Sequence, residues 1–316
     1  MTNQSTPSEV FLVGFPSLPL RFHIPVSLVM LLVYIMSLVA NGSVVGLIIL
    51  IESLHKPMYI AIANLAASDL LFDTITLPKI IARYWFNDGT MPFVACLFQV
   101  FWVHNLGTFD AFLLMVMAMD RYVAISRPFH YSSIISNKHM VIACTLCVFV
   151  SSIAGTICIL FEMILEYTCG RTRIISCFCT NSGVLSLSCG DVTFSLLVVF
   201  STAMVVLLLP LSFIIFSYIS IIRLMHSSTQ LVQSQKAFYT CTTHLLVIAL
   251  YYIPRLFVYI SIQNRLILDA DVNVLLGCLY TFVPHMANPI IYCLRTKEIK
   301  HIFKNILKTH VPLNIS

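Results

Sequence analysis

The stretch FHIPVSLVMLLVYIMSLVANGSVVGLIILI, residues 22–51, contains no Asp, Glu, Lys or Arg. An α-helix rises 1.5 Å per residue, so about 20 apolar residues cross the hydrocarbon core of a bilayer. Further uncharged runs of sufficient length lie at residues 139–161, 192–222 and 272–294. These runs predict membrane-spanning helices, and they exclude barrel strands, which alternate polar and apolar residues over about ten positions.

The composition supports a membrane protein. Of the 316 residues, 59% are hydrophobic and only 10% are charged, and the mean hydropathy is +0.93. A soluble domain carries about 25% charged residues, because its surface faces water. The composition therefore excludes an ordinary soluble enzyme, a disordered chain and a nucleic-acid-binding protein.

Three more apolar stretches contain ionisable residues, at residues 58–77, 92–125 and 237–262. They bring the expected number of spans to seven, so the predicted fold is an all-α membrane protein with a seven-transmembrane helix bundle. An ionisable group is costly within a bilayer and usually faces the bundle interior. We therefore expect function to be concentrated in these three spans.

The basic residues predict the orientation of the bundle. They concentrate in alternate connections and in the tail, at Lys56, Arg121, Arg127, Lys138, Arg223, Lys236, Arg295, Lys297, Lys300, Lys304 and Lys308. The positive-inside rule places this side of the multi-pass protein in the cytoplasm. We expect it to be located in the plasma membrane. The expected divisions are an extracellular N-terminus (1–22), the seven-transmembrane bundle (23–294) and a cytoplasmic tail (295–316). We expect a short amphipathic cytoplasmic helix on the membrane lipid in the tail, and glycosylation at Asn3.

Five cysteines are expected to face the extracellular side, at Cys96, Cys169, Cys177, Cys179 and Cys189. Extracellular segments are oxidising and favour disulfides. Five thiols cannot all pair, so one is expected to be left over. Two bridges would anchor the long loop between spans four and five over the bundle, and a single bridge is the alternative.

Several motifs resemble those of G-protein-coupled receptors. DRY at residues 120–122 ends span three, and NPIIY at residues 288–292 lies in span seven. Asn41, Asp69 and Pro210 resemble the marker residues of helices one, two and five. Each match is weak alone, but all of them occur in order and in the appropriate spans.

A narrower resemblance is to the vertebrate odorant receptors. It rests on LHKPMY at residues 54–59, KAFYTCTTHL at 236–245 and PIIYCLR at 289–295, and it extends over about residues 10–306. GFP at residues 14–16 is similar to the class I, fish-like branch. The resemblance implies a receptor that binds a small odorant and activates a heterotrimeric G protein of the stimulatory olfactory type, which raises cyclic AMP. A non-olfactory receptor for a small molecule or metabolite is the alternative.

The same resemblance implies roles for individual residues. The disulfides would be Cys96–Cys179 and Cys169–Cys189. The residues of G-protein coupling and activation would be Asp120, Arg121, Tyr122, Tyr218, Asn288, Pro289 and Tyr292. Arg121 can pair with Asp120 at rest and turn inward when the bundle opens; the alternative is an Arg that extends from a helix end towards the interface.

Asp69 and Asp110 are predicted to lie deep in spans two and three, where Asn41 and Asn288 would complete a polar cluster. Two like charges repel at low dielectric, so either one carboxyl group is protonated or a cation lies between them. Two interpretations stay open. The cluster is a water or sodium site that collapses on activation, or it is a neutral, hydrogen-bonded structural pair. No other cofactor or metal is expected.

The ligand pocket is expected in the outer half of the bundle, among spans three, five and six. Helical spacing selects its candidate lining residues, which are His104, Thr108, Ala111, Phe200, Met204, Tyr251, Arg255 and Tyr259, with Leu196 a further apolar candidate. Arg255 in the outer third of span six predicts a preference for polar or acidic odorants, with His104 as a candidate second contact. The alternative is that Arg255 pairs with Glu162 or Glu166 or extends outward.

Other membrane functions fit the sequence less well. Residues 272–294 contain no Lys for a retinal Schiff base, and outer span three has Val103 and His104 where an aminergic receptor needs a carboxylate. A transporter often contains an inverted repeat, and none is visible. No HExxH or similar spacing indicates an intramembrane enzyme.

Overall fold

The structure of the protein is a computed structural model that describes residues 7–227, 231–263 and 269–295. Within these ranges the side chains of residues 225–227, 231–241, 243, 259, 262–263 and 293–295 are not described. The predictions for Asn3, the side chain of Tyr259 and the amphipathic tail helix lie outside the described residues.

The described residues form seven long helices. They are α1 (His23–Leu50), α2 (Pro57–Trp85), α3 (Phe93–Ser126), α4 (Asn137–Met163), α5 (Thr193–Ser227), α6 (Leu231–Gln263) and α7 (Ala270–Arg295). By length and composition six of them can cross a membrane, and α6 contains a shorter apolar segment, His244–Val258. The prediction of an all-α seven-helix bundle is therefore confirmed, and the chain is a multi-pass membrane protein.

The centre of the bundle is α3, which packs against α2, α4 and α5, while α1 packs on α2 and α6 on α7. Leu65 of α2 and Leu113, Leu114 and Met117 of α3 are almost completely buried in the main core cluster. Large apolar side chains such as Phe149 and Phe216 point outward instead. In a bilayer lipid tails cover these exposed side chains, so the helices can be apolar on both faces.

A small three-stranded sheet covers the outer end of the bundle, which sequence reasoning did not predict. Strand β1 (Glu9–Leu12) lies between β2 (Thr90–Pro92), to which it is antiparallel, and β3 (Arg173–Ile174), to which it is parallel. The strands come from the N-terminus and from the loops that follow α2 and α4. The sheet therefore ties three separate segments of the chain together.

Gly14 fixes the chain just after β1. Its φ of +71° is in the left-handed region, and a Cβ at this position would collide with the hydroxyl of Tyr84. That hydroxyl accepts a hydrogen bond of 2.7 Å from the amide of Phe15. Gly170 has a similar φ of +73°, but a Cβ added there would meet no atom within 4 Å.

Gly14→Ala is expected to loosen the N-terminal segment more than Gly170→Ala does. Both variants are destabilised by about 1–2 kcal/mol, because Ala is forced into a left-handed backbone conformation. Gly14→Ala alone also displaces Tyr84 from the amide of Phe15, and the lost hydrogen bond costs about 1–3 kcal/mol more. Hydrogen exchange of the β1 amides measures the effect. Equal exchange in the two variants would show that the contact with Tyr84 does not hold this segment.

Candidate functional site

Two disulfides anchor the loop between α4 and α5. Cys96–Cys179 joins the loop to the start of α3, with a Cα–Cα distance of 5.5 Å. Cys169–Cys189 closes the loop on itself, with a Cα–Cα distance of 5.7 Å. Cys177 is the thiol left over, and it is buried. The residues alone left one or two bridges open, and the structure contains the two pairs that the resemblance implies.

The anchored loop also inserts an aromatic side chain between helices. The ring of Phe178 packs edge-on against Phe72 of α2 and Phe282 of α7, with centroid distances of 6.0 and 6.1 Å. The Cys179 amide donates a hydrogen bond of 2.7 Å to Gln99 Oε1 on α3. The loop therefore forms the outer wall above the interior of the bundle.

Arg255 lies among three helices of the bundle. Its guanidinium is 3.9 Å from the ring centroid of Tyr251 on α6 and 5.7 Å from that of Tyr280 on α7. Nη1 donates a hydrogen bond of 2.6 Å to the Tyr251 hydroxyl, which in turn donates to the carbonyl of Gly107 on α3. The structure thus brings together two of the predicted pocket residues, Tyr251 and Arg255, and His104 is partly buried on α3.

The other predicted pocket residues lie at different depths. Thr108 and Ala111 are buried on α3, while Phe200 and Met204 are partly buried on α5, with Met204 against the main core cluster. Leu196 is 47% exposed on α5, and its role in the pocket stays a prediction.

Glu162, the alternative partner of Arg255, is completely buried at the end of α4. Its Oε1 accepts a hydrogen bond of 2.6 Å from Asn181 Nδ2, in the short helix Asn181–Leu185 of the outer loop. The hydroxyl of Tyr167 donates to the backbone carbonyl of Glu162 at 2.9 Å. Glu162 therefore serves to hold the loop on α4.

Deeper in the bundle, an imidazole lies between carboxyl groups. His285 Nδ1 of α7 is 2.7 Å from Asp73 Oδ1, and His285 Nε2 is 3.5 Å from Asp69 Oδ1, both on α2. A donor atom of Asp110 on α3 joins those of Asp69 and His285 within 4.8 Å of one another. All four residues are buried.

Amide and hydroxyl groups surround this cluster. Asn288 Nδ2 donates to Asp69 Oδ2 at 3.0 Å. Asn41 Nδ2 donates to the His285 carbonyl at 3.1 Å and to Ser37 Oγ at 3.2 Å. Ser37 Oγ donates to Asp73 Oδ2 at 2.5 Å. The predicted members Asn41, Asp69, Asp110 and Asn288 therefore do lie at one polar centre.

Sequence reasoning missed His285, Asp73 and Ser37. The available signals were a His three residues before Asn288 and an Asp four residues after Asp69, which places both carboxylates on one face of α2. An imidazole nitrogen suits transition metals, whereas hard ions prefer oxygen donors. Both imidazole nitrogens face carboxyl groups of α2, so sodium stays a prediction.

At the cytoplasmic end, Asp120 is bound by a residue that sequence reasoning did not consider. Asp120 Oδ1 accepts a hydrogen bond of 2.7 Å from the hydroxyl of Tyr131, in the short helix Tyr131–Ile134. Burial and the adjacent carboxylate raise the pKa of Tyr131, so this hydroxyl stays protonated as a donor. Among the described residues, Arg121 Nε is buried without a hydrogen-bond partner.

Of the remaining predicted activation residues, Asn288 lies at the polar centre and the others lie nearer the cytoplasmic end. The Tyr218 hydroxyl of α5 is 2.5 Å from His244 Nδ1 of α6, and Ser217 Oγ donates to the Ala118 carbonyl of α3 at 2.9 Å. Tyr292 and Pro289 are buried in α7, and Tyr122 packs partly buried against the main core cluster. Helices α3, α5 and α6 are thus joined where a cytoplasmic partner would enter.

Comparison with known proteins assigns this arrangement to a family. Residues 30–310 match the family model described as olfactory receptor. The chain belongs to the olfactory receptor family. The receptor is 33% identical to olfactory receptor 2AT4 of Homo sapiens over 94% of its own length and 92% of that protein. It is 34% identical to olfactory receptor 1 of Rattus norvegicus, over 99% of each chain.

Membership confirms the predicted resemblance to odorant receptors of the rhodopsin-like type. The receptor is accordingly an odorant-binding G-protein-coupled receptor and not an enzyme. It is also 32% identical to olfactory receptor 52K1 of Homo sapiens over 93% of each chain. These relatives do not decide the branch, so the class I assignment stays a prediction.

Proposed function

We propose that the receptor binds a small odorant with a carboxylate or another strongly polar headgroup and activates a stimulatory G protein that raises cyclic AMP. It does so at the plasma membrane, with an extracellular N-terminus and glycosylation at Asn3. The observation that carries the ligand class is the position of Arg255, which lies among α3, α6 and α7.

A guanidinium is well suited to a carboxylate headgroup. It is planar and always charged, and it can donate two parallel hydrogen bonds to one carboxylate. The aromatic rings of Tyr251 and Tyr280 lie close enough to stabilise its charge. Partly buried apolar residues such as Phe200 and Met204 suit the hydrocarbon part of an odorant.

The contacts of Arg255 also suggest how binding reaches the cytoplasm. The Tyr251 hydroxyl connects Arg255 on α6 to the Gly107 carbonyl on α3. A ligand that draws the guanidinium towards its own carboxylate changes this connection. Pro254 lies inside α6 next to Arg255 and gives that helix a site of bending. Binding energy that differs between two positions of α6 shifts their populations.

The test is a cyclic AMP assay with matched carboxylic acids and alcohols on receptors carrying Arg255→Ala or Arg255→Lys. We expect Arg255→Ala to raise the half-maximal concentration of the acids about 30-fold or more, because a charge pair out of water loses one partner. Arg255→Lys should recover part of the loss, since Lys keeps the charge but not the two-point geometry. Alcohols should change little.

Tyr251→Phe keeps Arg255 but removes the connection to Gly107, so it should weaken the response to acids and alcohols alike, which separates transmission from recognition of the headgroup. A loss shared equally by acids and alcohols in Arg255→Ala would make Arg255 a structural residue and end the proposal of an acid headgroup. Unchanged acid potency in both Arg255 variants would do the same.

A further inference from the structure

Two free thiols belong to one buried cluster where the outer loop meets α7. Cys177 lies in the loop between α4 and α5, and Cys278 lies on α7. We propose that Cys177 and Cys278 form a redox-sensitive modification site, at which a peroxide joins them in a third disulfide and so ties the loop to α7. The proposed odorant and the G protein take no part in this inference.

Both thiols are shielded within the same apolar cluster. Cys177 is 3% exposed and Cys278 is 6% exposed, and they share the cluster with Ile80 and Tyr84 of α2. The neighbouring Cys278 thiol, together with burial, raises the pKa of the Cys177 thiol well above its usual range. Such an influence of one thiol on another is short-ranged, so the two sulfur atoms are neighbours.

The packing of adjacent rings independently brings the two cysteines together. Phe178 follows Cys177 in the chain, and its ring centroid is 6.1 Å from that of Phe282 on α7. Cys278 precedes Phe282 by four positions. These two side chains therefore lie on one face of α7, about 6 Å apart along its axis. The loop segment that contains Cys177 thus packs on the face of α7 that carries Cys278.

Hydrogen bonds on either side of Cys177 hold this segment in place. The Ser176 carbonyl accepts a hydrogen bond of 3.1 Å from the Gly14 amide. The Cys179 amide donates a hydrogen bond of 2.7 Å to Gln99 Oε1. Two reacting groups that are held together by the fold combine far more readily than the same groups free in solution. The folded receptor therefore favours a bridge between these two thiols over one between more distant cysteines.

The proposed reaction balances with one molecule of hydrogen peroxide. One cysteine loses its proton and attacks the peroxide, the O–O bond breaks, and a sulfenic acid and one water form. The second thiol then attacks the sulfenic sulfur, the S–S bond forms, and a second water leaves. The two thiols lose two electrons, and the peroxide gains them. Because the thiolate is the reacting form, the high pKa of Cys177 makes the reaction slow.

The bridge would extend the covalent anchoring of the loop. Cys179, two residues after Cys177, is already joined to Cys96 at the start of α3. Oxidation would therefore connect α7 to α3 through a very short segment of the loop. Such a connection limits how far the outer ends of these two helices can separate.

The test exposes the full-length receptor in lipid nanodiscs to hydrogen peroxide, denatures it and labels the remaining thiols with N-ethylmaleimide. Mass spectrometry should find two labels fewer on the unmodified receptor, and a non-reduced digest should contain residues 177 and 278 in one linked fragment. Cys158→Ala, the matched change of another buried free thiol, should show the same loss of two labels. Neither Cys177→Ala nor Cys278→Ala should show it.

Thermal unfolding provides a second readout. Peroxide should raise the unfolding temperature of the unmodified receptor, because a bridge constrains the unfolded chain, and it should not raise that of Cys177→Ala. Cys177→Ala is sufficient if Cys278→Ala fails to fold. Retention of both thiols, their loss without a link between residues 177 and 278, or an equal loss in Cys177→Ala would each overturn the proposal. None of these measurements involves odorant or G protein, so the proposed function is tested separately.

Discussion

Replacing Arg121 by Ala is expected to remove the cyclic AMP response to any activating odorant while the receptor still reaches the cell surface. The expected loss is about 10-fold or more in signal, because coupling between two sites is typically worth 1–3 kcal/mol. The measurement is cyclic AMP production at saturating ligand, normalised to surface receptor detected through an N-terminal tag.

The structure explains why Arg121 should matter for signalling more than for folding. Its neighbour Asp120 is already bound to Tyr131, so the carboxylate does not depend on Arg121 for a partner. Arg121 Nε is buried and, within the described residues, makes no hydrogen bond that the variant would remove. A guanidinium in this position can serve an incoming G-protein segment.

Arg21→Ala is the matched control, because it makes the same chemical change at an exposed site before the outer end of α1. It should leave the normalised response unchanged. A normal response from Arg121→Ala at equal surface expression would mean that the cytoplasmic end does not couple through this residue, and Arg121 would then be an interface residue.

Replacing Cys96 by Ser is expected to cause the largest loss of folded receptor. The Cys96–Cys179 bridge joins residues 83 positions apart. By lowering the entropy of the unfolded chain, such a bridge stabilises the folded state by at most about 4.5 kcal/mol. Helices that remain in the bilayer after unfolding shorten the free chain, so the actual value is smaller. Surface expression and the unfolding temperature in detergent measure the loss.

Cysteines of the same loop provide graded controls. Cys169→Ser opens a bridge between residues only 20 positions apart. Chain entropy predicts that this bridge stabilises the folded receptor by about 3 kcal/mol, so the loss of surface receptor should be smaller. Cys177→Ala changes a buried free thiol and should have the least effect. An order in which Cys177→Ala is as harmful as Cys96→Ser would contradict the roles assigned to the two bridges.

Helix positions were predictable because the bilayer imposes one local requirement on every span. The uncharged run at residues 22–51 became α1, His23–Leu50, and the run at residues 272–294 lies within α7, Ala270–Arg295. Each segment must satisfy its backbone hydrogen bonds internally, whatever its neighbours are. Length and apolarity alone therefore identify a spanning helix.

Side-chain partners were less predictable, because they depend on the rotation and depth of several helices at once. Asp69 and Asp110 were recognised as costly inside a membrane, but their neighbour His285 is 216 and 175 positions away in the chain. The N-terminal sheet was missed for a related reason. Its strands are at most four residues long and come from three separate segments, so none is stable or recognisable alone.

The amino-acid order by itself determined that this chain crosses the membrane as a helical bundle, and its motifs identified the receptor class, since both are read from contiguous residues. Only the tertiary structure decided that Cys177 stays unpaired, that Tyr131 holds Asp120 and that an imidazole lies between the buried carboxyl groups. These are relations between distant segments, and they exist only once packing has set the distance between the atoms.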